Sequence, residues 1–208
     1  GPSTLQAFLL YAEAEFLSER SSQMNSYLLT SVLIRLMLKM GLHRDPGNVP
    51  GISAYDGEMR RRWWTLGIQI DLLVAFHLGL PCMIHGIDSD TALPANLRDE
   101  DFGPDTPTLP PPRPSAEYTP LSYPRNKAAL CRAFALAARQ AHALNPPTYA
   151  EVLKADALTE EIWADVPAFM KVRPMDESIT DPVMLVVQRF GLALLYQKTR
   201  LVLHRRYI

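Results

Sequence analysis

The chain has 208 residues, of which 48% are hydrophobic and 21% are charged, and its 21 basic and 22 acidic residues give a formal net charge of −1. A globular chain of this size buries a sizeable core without disulfide bridges or metal ions. The near-neutral charge excludes the broad basic surface with which proteins bind nucleic acids or anionic membranes, so neither contact is expected. The two cysteines, Cys82 and Cys131, are too few for a zinc cluster and are predicted to be buried, reduced thiols.

The sequence predicts an all-α domain whose first three helices lie in its N-terminal half. Residues Gly1 to Ser3 resemble the remnant of a protease-cleaved tag and are excluded from the fold. Apolar residues at three- and four-residue spacing predict a first helix near 4–19 and a second near 25–40, with Gly41 as the stop of the second. The apolar residues of the second helix that are expected to face the core are Leu28, Leu29, Val32, Leu36, Met37 and Met40.

The third predicted helix is the centre of the fold. It begins at the candidate capping box Ser53–Asp56, runs to about Leu78, and is followed by Gly79 and Pro81. Its second half is apolar on nearly every side, as in a helix buried in a protein or in a membrane. Asp71 is the only formal charge in that half, and it would cost about 2.5–3.5 kcal/mol at the centre of a bilayer. The sequence therefore predicts a buried core helix.

A carboxylate on such a helix is expected to be buried and paired. Arg62 lies nine residues before Asp71, about 13.5 Å along the helix axis, and is a poor partner. An antiparallel hairpin of the second and third helices would place Arg35 near Arg61, so Arg35 is a poor partner too. The partner of Asp71 is therefore expected from elsewhere, with the C-terminal half as the candidate source. In that case Asp71→Ala would orphan a buried cation and cost about 3–5 kcal/mol.

A proline-rich loop divides the chain. Residues 82–103 form an irregular, acid-rich segment, and residues 104–124 contain eight prolines. Proline fixes φ and removes backbone donors, so an extended, solvated loop is predicted there. The predicted organisation is a single domain in which an N-terminal half, 4–103, and a C-terminal helical half, 125–208, share one core.

The C-terminal half is predicted to hold three further helices. Two lie near 125–143 and 148–164, and a long one starts at Asp181 and Pro182, as N-cap and first helical residue, and ends near His204. The apolar stripe of this last helix comprises Val183, Val186, Val187, Phe190, Leu194, Leu195, Leu201 and Leu203.

Three consecutive arginines, Arg60 to Arg62, open the third helix. Three cations in the first turns oppose the helix dipole, so nearby carboxylates are expected to offset them. Internal pairing with the acidic residues at 88–101 is favoured over a solvated face or a phosphate-binding patch. Trp63 and Trp64 follow on an apolar helix and are interpreted as core anchors, in preference to platforms for base stacking.

The motifs that would indicate an enzyme are incomplete. His43-Arg44-Asp45 and Asp101-Phe102-Gly103 spell two protein-kinase triplets, but Pro50 stands where a kinase needs a metal-binding asparagine, and no glycine-rich phosphate loop precedes them. A second candidate set mixes one soft ligand with three harder ones and lacks the paired spacing of zinc sites. Its members are Cys82, His85, Asp88 and Asp90. No catalytic residue and no metal site are predicted.

One set of motifs, taken in order and spacing, resembles a known family. The set consists of Gly41-Leu42-His43-Arg44-Asp45, Arg60-Arg61-Arg62-Trp63-Trp64, Asp71, Gly79, Pro81 and Leu93-Pro94. It is similar to the middle regulatory region of fungal binuclear zinc-cluster transcription factors. Leu203 to Tyr207 resemble a weaker family run, with Arg206 in place of the usual proline.

The resemblance implies an all-helical regulatory domain of a nuclear transcription factor. It implies that zinc is bound only by a DNA-binding segment outside this chain, and that the chain itself holds no cofactor. Partners are expected among other segments of the parent protein or co-regulators, together with a small-molecule effector in some family members. The motif residues are interpreted as structural, and no effector-binding residue is identified. The alternatives are a helical scaffold or dimerisation domain without ligand sensing, and an enzyme or unrelated helical protein.

Overall fold

The computed structural model describes residues 2–18 and 24–207, and within these residues it contains six α-helices and no strand. The helices are α1 (Pro2–Ser18), α2 (Met24–Lys39), α3 (Ala54–His77), α4 (Ser122–Ala141), α5 (Tyr149–Asp165) and α6 (Val183–His204). The predicted all-α class is confirmed, and each predicted helix is present. No helix among the described residues is long and apolar enough to span a bilayer.

The helix ends differ from the predicted ones by a few residues. Helix α1 includes Pro2 and Ser3, which the sequence argument excluded from the fold. Helix α4 begins at Ser122, so Pro124 lies in its first turn and not in a loop. Proline is tolerated there because the N–H groups of a first turn have no acceptor within the helix.

Two glycines end helices α2 and α3 as predicted. Gly41 and Gly79 have φ values of 70° and 69°, in the left-handed region that favours glycine. After Gly41, the Leu42 amide donates to the Met37 carbonyl at 3.0 Å, and after Gly79 the Leu80 amide donates to the Ala75 carbonyl at 2.9 Å. Both are Schellman turns, which satisfy the last carbonyls of the helices.

The contacts divide the chain into two compact units. The boundary between them along the chain lies between Pro112 and Arg113, inside the predicted loop. In the first unit, α3 packs against both α1 and α2. Trp64 is 4% exposed within that core, and Trp63 packs against it while half-buried, so both tryptophans are core anchors as predicted. The core residues are Leu5, Leu9, Leu33, Ile34, Met37, Leu42 and Trp64.

The predicted core face of α2 is wrong in part. Leu28 and Val32 are 56% and 47% exposed, whereas Ser26 and Thr30 are buried beside the apolar core residues of the helix. The Thr30 hydroxyl donates to the Tyr27 carbonyl at 3.0 Å, so its polarity is satisfied within the helix itself. A count of apolar side chains therefore misplaces the face that packs.

The second unit is built from α4, α5 and α6, which pack pairwise. Pro182, and not Asp181, is the N-cap of α6. The Asp181 carboxylate instead accepts hydrogen bonds from Arg173 and from Arg189, the latter at 2.6 Å. Arg189 is 2% exposed and also donates from Nε to the Phe169 carbonyl at 2.7 Å. A paired arginine thus occupies the buried face of α6.

This arrangement corrects the predicted apolar stripe of α6. Leu195 and Leu203 are buried, but most of the stripe faces away from the core of the second unit. The exposed members are Val183, Val187, Phe190, Leu194 and Leu201. The buried face is set by Arg189, Leu192, Tyr196 and Thr199 together with Leu195, Val202 and Leu203.

The loop between the units carries a testable prediction. Limited subtilisin digestion of the 208-residue chain is expected to cut first between residues 104 and 121, because this stretch contains no helix and most of its residues are exposed or half-buried. The single-core organisation predicts that the two fragments stay together afterwards. Size-exclusion chromatography under native conditions measures this, and separate elution of the fragments would contradict a shared core.

Candidate functional site

The residues that carry the family resemblance meet in the first unit. The turn after α2 and the N-terminal half of α3 both contact the stretch of chain from Asp88 to Phe102, which we call the 88–102 segment. The Thr91 hydroxyl donates to the Leu42 carbonyl at 2.7 Å, and the Ser89 hydroxyl donates to the His43 carbonyl at 2.9 Å. The segment is thus fastened to the turn through side chain to backbone hydrogen bonds.

Asp45 is the centre of these contacts. Arg61 donates to both of its oxygens, from Nε at 2.9 Å and from Nη2 at 2.7 Å. The backbone amides of Gly47 and Ala92 each donate to it at 2.9 Å. The bond from Arg61 and these amides hold the pKa of the Asp45 carboxyl well below its usual range, against the opposing effect of burial. The charged form of Asp45 is therefore part of the folded structure.

Arg62 and Glu58 form a second link to the 88–102 segment. Glu58 is fully buried, accepts a hydrogen bond from Arg62 Nε at 3.2 Å, and accepts the Ala95 amide at 3.1 Å. Burial raises the pKa of Glu58, and the bonds from Ala95 and Arg62 act in the opposite direction. Arg62 Nη1 also donates to Asp99 at 2.7 Å, and the guanidinium lies 5.0 Å from the Phe102 ring centroid.

The remaining arginine of the cluster binds a helix end. Arg60 Nη2 donates to the Met40 carbonyl at 2.7 Å, where the negative end of the α2 dipole favours a cation. Arg61 and Arg62 are therefore paired internally with carboxylates, as predicted, whereas Arg60 binds a backbone carbonyl. Of the acidic residues at 88–101, Asp99 pairs with the cluster, through Arg62. Asp90 instead accepts the Asp45 amide at 2.8 Å and lies 3.5 Å from Arg44.

The other motif residues are packing and turn residues. Leu42 and Pro94 are buried, and Leu93 is half-buried. The His43 ring packs at a tilted angle on Trp64, with centroids 6.4 Å apart. Pro81 follows the Gly79 turn, and its carbonyl accepts the Tyr27 hydroxyl at 3.0 Å.

Asp71 is fully buried, as predicted, but its partner is not a cation from the C-terminal half. Its Oδ2 accepts the Ile84 amide at 3.2 Å, and the Met83 amide also bonds to the carboxylate. Both amides belong to the short 3-10 turn Met83–Gly86 in the same unit. Among the described residues, Oδ1 has no hydrogen-bond partner. Burial raises the pKa of Asp71 to about 6, because the two amides offset only part of the desolvation.

Two clefts of about 310 Å³ each lie against α3, one along its N-terminal part and the other along its middle. One, which we call the Arg62 cleft, is lined by Tyr55, Met59, Arg62, Asp99, Phe102, Gly103 and Pro104. The other, the α1–α3 groove, is lined by Gln6, Leu9, Leu10, Glu13, Trp63, Leu66 and Ile70. Sequence reasoning singled out neither Tyr55 nor Met59. Their positions seven and three residues before Arg62, on one helical face, are the signal that was available.

The two cysteines are buried free thiols, as predicted. Burial raises the pKa of each to about 12, so neither is a reactive thiolate at neutral pH. In residues 2–18 and 24–207 no three histidine, cysteine or acidic side chains are grouped closely enough to hold a metal ion.

Comparison with known proteins identifies the family. Residues 2–154 match the family described as "Fungal specific transcription factor domain". Over 207 residues the chain is 39% identical to "Zn(2)-C6 fungal-type transcription factor pigI" of Monascus ruber, covering 100% of this chain and 26% of that protein. It is 31% identical over 208 residues to "Zn(2)-C6 fungal-type transcription factor mpsB" of Macrophomina phaseolina, covering 100% of this chain and 28% of that protein.

A third relative is the "Pyrrolocin cluster transcription factor fsdR" of a fungal species, 34% identical over 208 residues, which are 100% of this chain and 27% of that protein. The chain thus spans about a quarter of the length of the curated relatives it matches. No solved structure matches it. The chain therefore belongs to the fungal-specific transcription factor domains, regulatory regions of transcription factors and not enzymes.

Proposed function

We propose that this chain is the middle regulatory domain of a zinc-cluster transcription factor and that it controls activation by binding a small-molecule effector. The family match and the geometry of the first unit together support the proposal. The family match over residues 2–154 includes a cleft of about 310 Å³ whose charged lining residues are Arg62, of the signature arginine cluster, and Asp99. Clefts of this size with few polar groups are typical of sites for small molecules.

The proposal extends to the parent protein. Two relatives bear the name Zn(2)-C6 fungal-type transcription factor, and the third is named as the transcription factor of the pyrrolocin cluster. By analogy, the parent of this chain would act in the nucleus and bind DNA through a segment that holds a zinc cluster. It would regulate a single cluster of the kind for which the third relative is named. The domain would act on the other segments of the parent or on co-regulators.

A reporter assay in the parent tests this function. The expected result is that deleting the domain from the full-length factor uncouples reporter output from growth conditions while DNA binding is retained. A loss of regulation is the result that a sensing domain predicts. Unchanged output and unchanged response to conditions would contradict a regulatory role of the domain.

One observation favours assembly as a second candidate function. The exposed face of α6 presents Val183, Val187, Phe190, Leu194 and Leu201, at alternating four- and three-residue spacing apart from one polar position, and they are 43–79% exposed. A contiguous apolar stripe of this kind is typical of a protein interface. Sedimentation of the isolated chain and of Leu194→Asp distinguishes the candidates, because a dimer through α6 would dissociate in the variant.

The isolated chain is expected to bind neither zinc nor a specific DNA sequence. A zinc cluster requires six thiolates, and the two cysteines of this chain are buried with pKa values of about 12. Metal analysis should find substoichiometric zinc. Weak binding to duplex DNA, measured by fluorescence anisotropy, should vanish between about 50 and 200 mM salt. Tight, salt-resistant binding to a defined duplex would contradict this assignment of DNA binding to another segment.

A further inference from the structure

We propose that residues 109–114, which we call the proline run, are a docking segment for a partner protein that has an aromatic-lined groove, as WW and SH3 domains have. The proposal goes beyond the effector function and does not depend on it. It is carried by three features of the run: a backbone that its prolines restrict, an exposed edge, and hydrogen-bond acceptors that outnumber the donors.

The sequence of the proline run restricts its backbone. Its six residues contain four prolines, Pro110, Pro111, Pro112 and Pro114. Each proline holds its own φ at about −65°, and each residue before a proline is confined to extended conformations. At least one of these two rules applies to every residue of the run. The structure accordingly has no helix, turn or bend there, as the polyproline II conformation requires.

One edge of the proline run is open to solvent. A polyproline II helix has three residues per turn, so residues three apart lie on the same edge. Pro111 and Pro114 share one edge, and both are exposed. Pro110 and Arg113 share another edge, and both are half-buried. The run therefore presents Pro111 and Pro114 together, at the spacing that proline-binding grooves recognise.

The proline run offers more acceptors than donors, which decides the kind of partner. Proline has no N–H group, so four of the six residues cannot donate from the backbone. Among the residues that the structure describes, no backbone N–H donates to the carbonyl groups of residues 109–112. Pairing with the edge of a sheet is excluded, because an added strand must also donate. Trp and Tyr side chains fit, since each combines an apolar ring with one polar donor.

The restricted backbone also favours binding. A partner that binds a flexible segment must pay the entropy of ordering it, whereas the prolines have already removed most of that freedom. A stiff spacer would have the same backbone, but it would bind no proline-recognition domain. The two roles therefore predict different results in a binding experiment.

The test uses the 208-residue chain and, as probes, the complete set of WW and SH3 domains encoded by one filamentous fungus, each expressed singly. Isothermal titration calorimetry measures the dissociation constants. At least one domain is expected to bind with a dissociation constant below about 100 μM. The variant Pro111→Ala/Pro114→Ala removes apolar rings from the exposed edge, so it should bind that domain at least about tenfold more weakly.

A second double variant in the same loop is the matched control. Pro104→Ala/Pro107→Ala removes two exposed prolines at the same three-residue spacing, but these lie in a turn and a bend before the proline run. It should leave the affinity unchanged. Thermal melts confirm that both double variants are folded. In the partner, replacing an aromatic residue of the groove with alanine should abolish binding.

Four results would each overturn the proposal. They are no binding by any domain of the set, full binding by the Pro111→Ala/Pro114→Ala chain, equal losses in the two double variants, and full binding by a domain that lacks its groove aromatic residue. These results leave the proposed effector function standing, because the reporter assay on the parent tests that separately.

Discussion

Replacing Asp71 with asparagine is expected to stabilise the chain at neutral pH. The folded carboxyl has a pKa raised to about 6 from its ordinary value of 3.8, because it is fully buried with only two amides as partners. Since the folded pKa is the higher one, the folded state binds more protons between pH 4 and 6. The contribution of the Asp71 carboxyl to the free energy of unfolding is fully present below pH 4 and falls as the pH rises through 6. The loss amounts to about 3 kcal/mol at pH 7.

Asparagine keeps an oxygen that accepts the Ile84 amide and carries no charge. We therefore expect Asp71→Asn to gain about 2–3 kcal/mol at pH 7.5 and to flatten the pH dependence between pH 4 and 7, measured by urea unfolding. Asp88→Asn, at an exposed position, serves as the control and should leave the slope unchanged. Destabilisation of Asp71→Asn at every pH would show that the charged carboxylate has a partner of its own.

The same observation corrects the expectation for Asp71→Ala. The predicted cost of about 3–5 kcal/mol assumed that a buried cation would be orphaned. Two backbone amides hold Asp71 instead, so the variant loses those hydrogen bonds and gains relief from a buried charge. Its net cost is expected to be smaller.

Asp45→Ala is expected to be among the most damaging single substitutions, at about 3–5 kcal/mol. It removes both hydrogen bonds of Arg61 and leaves that guanidinium, 22% exposed, without its counter-charge. It also orphans the Ala92 amide. Arg44→Ala, one residue earlier, is the matched control. The Arg44 side chain is 57% exposed and lies 3.5 Å from Asp90, so its loss should cost no more than about 0.5 kcal/mol.

Denaturant titrations of the two variants measure this contrast. A cost below about 1 kcal/mol for Asp45→Ala would show that the Arg61 pair is dispensable. Because the folded pKa of Asp45 is depressed, its contribution has the opposite pH sign to that of Asp71. It is present above the ordinary aspartate pKa of 3.8 and is lost as the pH falls below that value. Asp45 therefore contributes to acid sensitivity below about pH 4.

The helices could be predicted from the sequence because their signals are local. The 3.6-residue apolar period, the Ser53 cap and the stops at Gly41 and Gly79 each act within a few residues. The packed faces of α2 and α6 could not be predicted in the same way. Thr30 and Arg189 can be buried because their polar groups form hydrogen bonds. Thr30 bonds to the Tyr27 carbonyl, and Arg189 bonds to Asp181 and to the Phe169 carbonyl. Apolar periodicity contains no information on such partners.

The candidate site was predictable only in outline. The charge pattern indicated that the arginines would be paired, and the structure shows this for Arg61 and Arg62. The choice of Asp45 over Asp90 for Arg61 depends on how the turn after α2 lies against α3, which is a tertiary property. The same holds for Asp71, whose partners come from a turn 12 residues later, and for the Arg62 cleft, whose walls come from two separate stretches of chain.

The way in which Asp45 and Glu58 hold the 88–102 segment has a consequence for its evolution. Asp45 and Glu58 bind the main-chain amides of Ala92 and Ala95. Any residue that keeps an N–H at these two positions preserves the contacts, whatever its side chain, and proline does not. Divergence is thus expected to be tolerated at 92 and 95 as long as Asp45 and Glu58 are kept. At these two positions the side chain can change without altering the path of the segment.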